Sequence, residues 1–558
     1  MAESSSADAS NSSDSSAAEG SSGSPAATLL AILIAVSILG GAWWFTRSEK
    51  LNVLVISLDT TRPDHLGAYG AERAPTPNLD RLAREGTVFE NARTTAPWTL
   101  PSHMSLFTGL PPELHGVRYD WHRLPPDRRA MGQMFREGGF RTVGLYTAPY
   151  VHQNFGFARG MQFYEAATEG AMLYDRMGPG MDAEAQQLLV AETEAQSHAE
   201  VTSARVAARM NFFTKHNPVD RNFFFLHFFD PHYDYLPPPS HRAVFVDPEY
   251  AGPISGRQVM ARSDIIHADM PPADLQQLKD LYDAELRFTD AQIGKILDQL
   301  EASGDLENTL IVIVADHGEA FFEKDLFGHR QNLGEEVLRI PMIFWWPGRI
   351  AAGQRIDTPV SLIDVLPTLL DLTDLPEEPG IYGKSLRPLM EGGSAPDVPV
   401  TSLLDFISPN STDSYARFQS LVYRDLKYLR MDRVMWSPET RTDFGGAVDP
   451  AARLEFVYDL SAAEPERENL LTTRPDDPAV AGMRERFEAE RARRNAFAVE
   501  RHWQAAVVGN VELGDLSALG YLGEDVNAGA EPAAGSATSA GSATSTGTES
   551  GPDTDEDP

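Results

Sequence analysis

The sequence predicts an α/β fold, a mainly parallel sheet flanked by helices. Three buried-strand signatures and one long amphipathic segment carry that reading. Leu51–Leu58 (LNVLVISL), Asn222–Phe229 (NFFFLHFF) and Thr309–Ala315 (TLIVIVA) are short, almost unbroken apolar runs. A strand covered on both faces has no side that must stay polar, so it loses the alternation of a half-exposed strand. Between the second and third runs, Asp280–Leu300 spaces its apolar residues as a helix does and gives out near Gly304. Buried strands separated by helical segments imply crossover connections, hence a parallel sheet covered on both faces.

From the N-terminus, residues 1–25 are Ser, Ala, Gly and acid, with too little to bury, and read as a disordered tail. Residues 26–45 (AATLLAILIAVSILGGAWWF) come next and carry no charge. Twenty helical residues span about 30 Å, the thickness of a bilayer's hydrocarbon core. Trp43 and Trp44 suit an interfacial belt, with Arg47 and Lys50 just beyond. A cleaved signal peptide would carry Lys or Arg ahead of its apolar stretch, and residues 1–25 carry none, so the expectation is a retained single-pass anchor. The basic flank, taken alone, would put the domain that follows in the cytoplasm. Residues 51–397 hold the α/β pattern. Beyond them Phe418–Arg430 and Glu455–Leu460 read as strands with polar turns between, a smaller antiparallel sheet subdomain over 398–475. A helical extension, charged through Asp477–Arg501, occupies 476–525, and a Gly, Ala, Ser and Thr tail rich in acid fills 526–558.

The formal net charge is -34. Twelve unpaired acids lie in the two tails, four before residue 27 and eight after residue 520, which leaves about -22 on the body. Such a surface argues against a nucleic-acid partner, since phosphate binding needs clustered Lys and Arg. There is no cysteine, so disulfides, thiolate metal sites and Cys nucleophiles are excluded.

All three apolar runs end in residues that can bind metal: Asp59; Asp230-Pro231-His232; and Asp316-His317. Open parallel sheets bind ligands beyond the carboxyl ends of their strands. One Asp there would serve equally well as a helix or turn cap. Three strands with the same habit instead deliver O and N ligands to one edge. Between the first two lies Pro97-Trp98-Thr99-Leu100-Pro101-Ser102-His103. Pro101 suits a first helical turn, so Thr99 is expected just ahead of a helix, where the N–H groups and dipole favour an alkoxide. By itself this segment also suits a plain Thr cap.

Together these segments resemble the sulfatase family of the alkaline-phosphatase-like superfamily. The resemblance rests on Asp59-Thr60-Thr61-Arg62-Pro63-Asp64-His65-Leu66-Gly67, Thr76-Pro77-Asn78-Leu79-Asp80, Pro101-Ser102-His103 with Leu106-Phe107-Thr108-Gly109, and Asp230-Pro231-His232. It continues through Asp316-His317-Gly318-Glu319, Gly328-His329, Glu335-Glu336, Leu426-Lys427-Tyr428, Tyr458-Asp459-Leu460 and Glu468-Asn469-Leu470, so it covers roughly residues 51–475. It implies a divalent metal held by Asp59, Thr99, Asp316 and His317, with Thr99 as nucleophile. His232 and His329 would meet the anionic group or its leaving oxygen, and Arg62 and His103 would bind the anion. A second ion on Asp230, His232 and His329 is the alternative arrangement. The donor set suits Mn²⁺, Zn²⁺, Mg²⁺ and Ca²⁺ alike.

Two departures from the family pattern bear on the substrate. Thr99 stands where relatives place a Cys, or sometimes a Ser, that becomes formylglycine, so no formylglycine is expected. The Gly-Lys-x-His segment that helps relatives bind sulfate is replaced by Val143-Gly144-Leu145-Tyr146. Both resemble superfamily branches acting on phosphate esters. The expected function is a metal-dependent hydrolase of sulfate or phosphate esters. The alternatives are a phospho-headgroup transferase, whose relatives carry several membrane spans, and a non-catalytic relative. The resemblance also implies a catalytic domain outside the cytoplasm, against the basic flank.

Overall fold

Hydrophobic alternation along the three apolar runs is lost in sequence but recovered in space. In the computed structural model, Val53 and Val55 pack into one core with Phe223, Phe225, Val312 and Val314, while Leu54 and Ile56 join Phe224, Leu226, Ile311 and Ile313 in another. The same strands thus bury both faces, each such side chain contributing about 1.5–3 kcal/mol of burial. The structure describes residues 50–501 except 74–75, 120–121, 168–200, 217–218, 258–263, 395–397, 408–413 and 437–445, and also 507–508. The expected tails and the apolar segment 26–45 lie outside the described residues, as does most of 502–525. No helix among the described residues is long and apolar enough to cross a membrane.

Two-residue bridges apart, the strands of the main sheet are β1 (Leu51–Leu58), β2 (Thr87–Phe89), β3 (Arg141–Tyr146), β4 (Phe163–Ala166), β5 (Arg221–Phe228), β6 (Thr309–Ala315), β7 (Met342–Trp345) and β8 (Gln354–Ile356). Their order is β8-β2-β7-β6-β1-β5-β3-β4. β1 pairs in parallel with β5 and β6, and β7 runs antiparallel to its neighbours β2 and β6. Helices α1 (Pro77–Glu85), α3 (Ser203–His216) and α4 (Pro272–Ser303) cover one face; α2 (Thr99–Thr108) and α5 (Val365–Leu372) cover the other. α4 starts eight residues before the expected Asp280; Pro272 opens its first turn, and Leu275 and Leu278 already continue the buried stripe. Gly304 ends it with φ 71°, as its sequence position suggests.

A four-stranded antiparallel sheet comes next: β9 (Val400–Phe406), β10 (Ser414–Tyr423), β11 (Leu426–Trp436) and β12 (Gly446–Asp459), in that order. The run Phe418–Arg430, expected as one strand, is a hairpin. Tyr423 pairs with Leu426 across a two-residue turn at Arg424-Asp425, where Arg424 has φ 53°. Helix α6 (Pro478–Glu500) packs Val480, Met483 and Phe487 on Leu421, Tyr428 and Val457 of this sheet. β9 also ties back to the main body, through Leu403 N to Thr95 O at 2.8 Å and Ser402 Oγ to Thr94 O at 2.7 Å.

Candidate active site

The register of the central strands decides which side chains meet. Leu58 lies opposite both Phe228 and Ala315, so β1, β5 and β6 end level with one another. The next residues, Asp59 and Asp316-His317, are carried to a common edge and are fully buried there. α2 begins at the same edge. Thr99 is its first residue rather than the one before it, because Trp98 takes the extended N-cap conformation. No side chain caps this end, so the positive end of the helix dipole is directed at Thr99 and its surroundings.

Around His317 the geometry is that of a cation site. His317 Nδ1 donates to Gly318 O at 2.9 Å, and burial pushes its pKa well down, so the neutral ring carries its lone pair on Nε2. That Nε2 lies 3.3 Å from Asp316 Oδ2, 3.6 Å from Asp59 Oδ1 and 3.4 Å from Thr99 Oγ1. A lone pair facing two carboxylates is repulsive unless a positive charge sits between them. Asp316 Oδ2 makes no hydrogen bond, whereas Oδ1 accepts from Thr60 N at 3.2 Å and His317 N at 2.8 Å. Donors bound about 2.0–2.2 Å from a tetrahedral ion stand about 3.3–3.6 Å apart. The residues present therefore fit a divalent metal. Burial, and then Asp59, push the Asp316 carboxyl well up, which is how an acid cluster behaves while its charge is unneutralised.

Beneath this cluster lie His103 and His227, both fully buried, with rings 4.8 Å apart. His103 Nδ1 donates to Thr99 O at 2.8 Å and Nε2 accepts from Ser57 Oγ at 2.9 Å. The expectation that His103 binds the substrate anion is corrected here. Its complete burial and two spent nitrogens make it instead a support under Asp316, 3.4 Å from Oδ2. His227 Nε2 stands 3.3 Å from Asp59 Oδ2 in the same way. Its place inside an apolar strand gives no sign of this in the sequence.

His232 and His329 close the other side. Their rings are 5.1 Å apart, and the His329 ring is 4.4 Å from His317. His232 stacks on Phe229 and donates Nδ1–H to Tyr233 O at 2.8 Å. His329 Nδ1 is 2.9 Å from Glu319 Oε1, and Tyr235 donates to Glu319 Oε2 at 3.2 Å. Glu319, fully buried with its pKa raised by that burial, has no role that sequence reasoning assigns.

Arg62 is not brought to this group. It pairs with Asp64 at 2.7 Å and Glu323 at 2.5 Å and donates to Glu319 O at 2.9 Å, so its guanidinium is already committed as an ion-pair partner. An arginine that sequence reasoning misses, Arg330, lies close to this group. Its backbone N–H donates to Pro97 O at 3.1 Å, and its guanidinium lies 4.0 Å over the Trp98 ring. Asp230 likewise turns from ligand to cap: it accepts from Thr202 N, Ser203 N and Ser203 Oγ at the start of α3, which disfavours the alternative second ion.

A family model described as "Sulfatase" matches residues 51–375, and one described as "N-sulphoglucosamine sulphohydrolase, C-terminal" matches 322–430. An arylsulfatase of Clostridium perfringens is 25% identical over 386 residues, covering 61% of this chain and 79% of that protein. An ulvan-active sulfatase of Formosa agariphila is 26% identical over 362 residues, covering 61% and 65%. Among solved structures, the phosphonate monoester hydrolase of Agrobacterium radiobacter superposes with TM-score 0.60 at 20% identity, covering 80% of this chain and 96% of that one. At that identity the likeness speaks for the fold.

Proposed function

The chain belongs to the sulfatase family of ester hydrolases, and from that premise we propose that it hydrolyses phosphate esters in preference to sulfate esters, with unmodified Thr99 as nucleophile. The observation that carries this reading is Thr99 Oγ1 at an uncapped helix N-terminus, 3.4 Å from His317 Nε2 in the acid cluster. Asp59, Asp316, His317 and Thr99 would hold a divalent metal, which when bound supplies positive charge that lowers the hydroxyl's pKa and neutralises the transferring group. Thr99 gives up its hydroxyl proton to solvent, Oγ1 attacks phosphorus or sulfur, the ester P–O or S–O bond breaks, and a Thr99 ester forms. Glu319 holds His329 by Nδ1, so Nε2 is the nitrogen that gives a proton to the leaving oxygen, with His232 beside it. Arg330 offers the anion a positive charge held in place by Trp98. Water then releases the group from Thr99. The preference for phosphate rests on Thr99 and on the absent Lys-x-His segment, and on the greater charge of a phosphoryl group in a site that selects by charge.

The test is hydrolysis of matched 4-nitrophenyl sulfate, phosphate and phosphodiester during titration with Mn²⁺, Zn²⁺, Mg²⁺ and Ca²⁺. Turnover should appear only with metal, and kcat/KM should favour a phosphate ester by at least about tenfold. A tenfold preference for the sulfate ester would reject the substrate assignment. Residues 26–45 are proposed, on sequence grounds, to anchor the domain in a membrane with its catalytic part outside the cytoplasm. The protein should then pellet with membranes in high salt, and protease added to intact spheroplasts should digest it.

A further inference from the structure

We infer that Lys427 of the antiparallel sheet and Glu466 beyond it are positioning residues, which hold the loop presenting His329 and Arg330 to the nucleophile. This inference rests on the roles proposed above for those two residues. The chain leaves β6 after Ala315 and returns toward β7 only after Glu336. Between them its only ladder among the described residues is the two-residue pairing of Ala320-Phe321 with Phe327-Gly328. Phe322, Asp325 and Arg330 all have positive φ, at 69°, 58° and 71°. Such a segment has little regular hydrogen bonding, so its shape rests on tertiary ties: Arg330 N to Pro97 O and Arg62 to Glu319 O along it, and a set of ion pairs at its far end.

Those ion pairs form a single alternating row of charge: Arg93, Glu335, Lys427, Glu466, Lys324, Glu336. Three bases face three acids in turn, and the row joins four separate stretches of chain. Lys427 is its centre and is completely buried. It spends its three N–H bonds on Leu333 O at 2.6 Å, Glu335 Oε1 at 2.9 Å and Glu466 Oε1 at 2.6 Å. Leu333 lies four residues past His329 and three past Arg330. Glu466 completes the tie, since Glu335 N and Lys324 Nζ both donate to its Oε2 at 2.9 Å. Removing Lys427's charge leaves Glu335 and Glu466, two partly buried carboxylates, without the cation between them. Their repulsion would loosen the Leu333–Glu336 end of the loop, and with it the placement of His329. The metal ligands lie outside this row and should be untouched.

The experiment uses the full-length protein with Mn²⁺ and 4-nitrophenyl phosphate, and compares Lys427→Met, Glu466→Gln and the double variant. A displacement of about 1 Å in a catalytic group costs on the order of 10²-fold in rate. Lys427→Met should therefore lower kcat by at least about tenfold, with Mn²⁺ content unchanged. Hydrogen exchange should rise across residues 327–336 and stay as in the wild type across 51–58. The double variant, which removes the stranded charge with its partner, should regain part of the lost kcat. If Lys427→Met does not fold, Glu466→Gln carries the same readouts. Overturning results are a folded variant with kcat within about twofold of wild type, a loss of kcat that tracks loss of Mn²⁺, or a double variant no better than Lys427→Met. Wild-type protein inactive on every ester would sink the hydrolase reading, while the exchange comparison would still decide whether the row holds the loop.

Discussion

Thr99, the proposed nucleophile, sits in an environment assembled from residues that are individually ordinary in sequence. Replacing it with Ala removes the covalent step and should cost at least about 10³ in turnover, measured with saturating metal. Near-normal turnover in Thr99→Ala would remove Thr99 from the mechanism. Asp316→Ala deletes the oxygen that faces His317 Nε2 without a hydrogen bond. Elemental analysis should find less than stoichiometric metal in this variant and a full complement in the wild type; equal content would refute the ligand set. That Asp59, Thr99, Asp316 and His317 come together is legible in the sequence, because strand ends and a helix start fix where they lie. Arg62 and His103 are not, because motif position does not reveal which nearby carboxylates and hydroxyls will claim a side chain. Arg330 and Glu319 lie on an irregular loop, where no periodicity aims a side chain and no residue spacing marks its direction.

Among the elements, α1 shows how a buried acid can fix a helix and leave a pH signature. Asp290 of α4 accepts from Asn78 N at 3.0 Å and Leu79 N at 2.9 Å at the start of α1, and from Asn78 Nδ2 at 2.9 Å. Burial raises its pKa from 3.8 to about 6, despite those hydrogen bonds. A carboxyl whose folded pKa lies above its unfolded one contributes stability below the unfolded value. That contribution is lost as pH rises through the folded value. Between pH 4 and 7 the wild type should therefore lose on the order of 3 kcal/mol that Asp290→Asn, which cannot ionise, keeps. Thermal melts should show the Tm of Asp290→Asn gaining on wild type as pH rises over that window. A Tm difference that moves the other way would overturn the assignment. Strands β1, β5 and β6 are legible in sequence to within a residue, since double-sided burial leaves a continuous apolar run. The hairpin of β10 and β11 reads as one strand because Arg424-Asp425 turns without the Gly or Asn that usually marks such a turn.

At the scale of the whole molecule, the net charge of -34 opposes the arrival of an anionic substrate, while the site attracts it only at short range. Arg330 and the proposed metal would act within a few ångströms of the reacting group, whereas the surface acids act over the Debye length. That length is about 30 Å at 0.01 M salt and about 8 Å at 0.15 M. Added salt should therefore screen the repulsion before it weakens the attraction, and kcat/KM for 4-nitrophenyl phosphate should rise several-fold across that range. The gain should lie in KM, because kcat reports the complex already formed. Deleting residues 526–558, which hold six acids and no Lys or Arg, should reduce the salt effect and leave kcat unchanged. Sodium chloride is the titrant to use, with metal held saturating, so that ionic strength alone varies. A kcat/KM that falls steadily with salt would mean that a positive funnel around the site outweighs the molecule's net charge, and long-range repulsion would then be rejected as a limit on substrate capture.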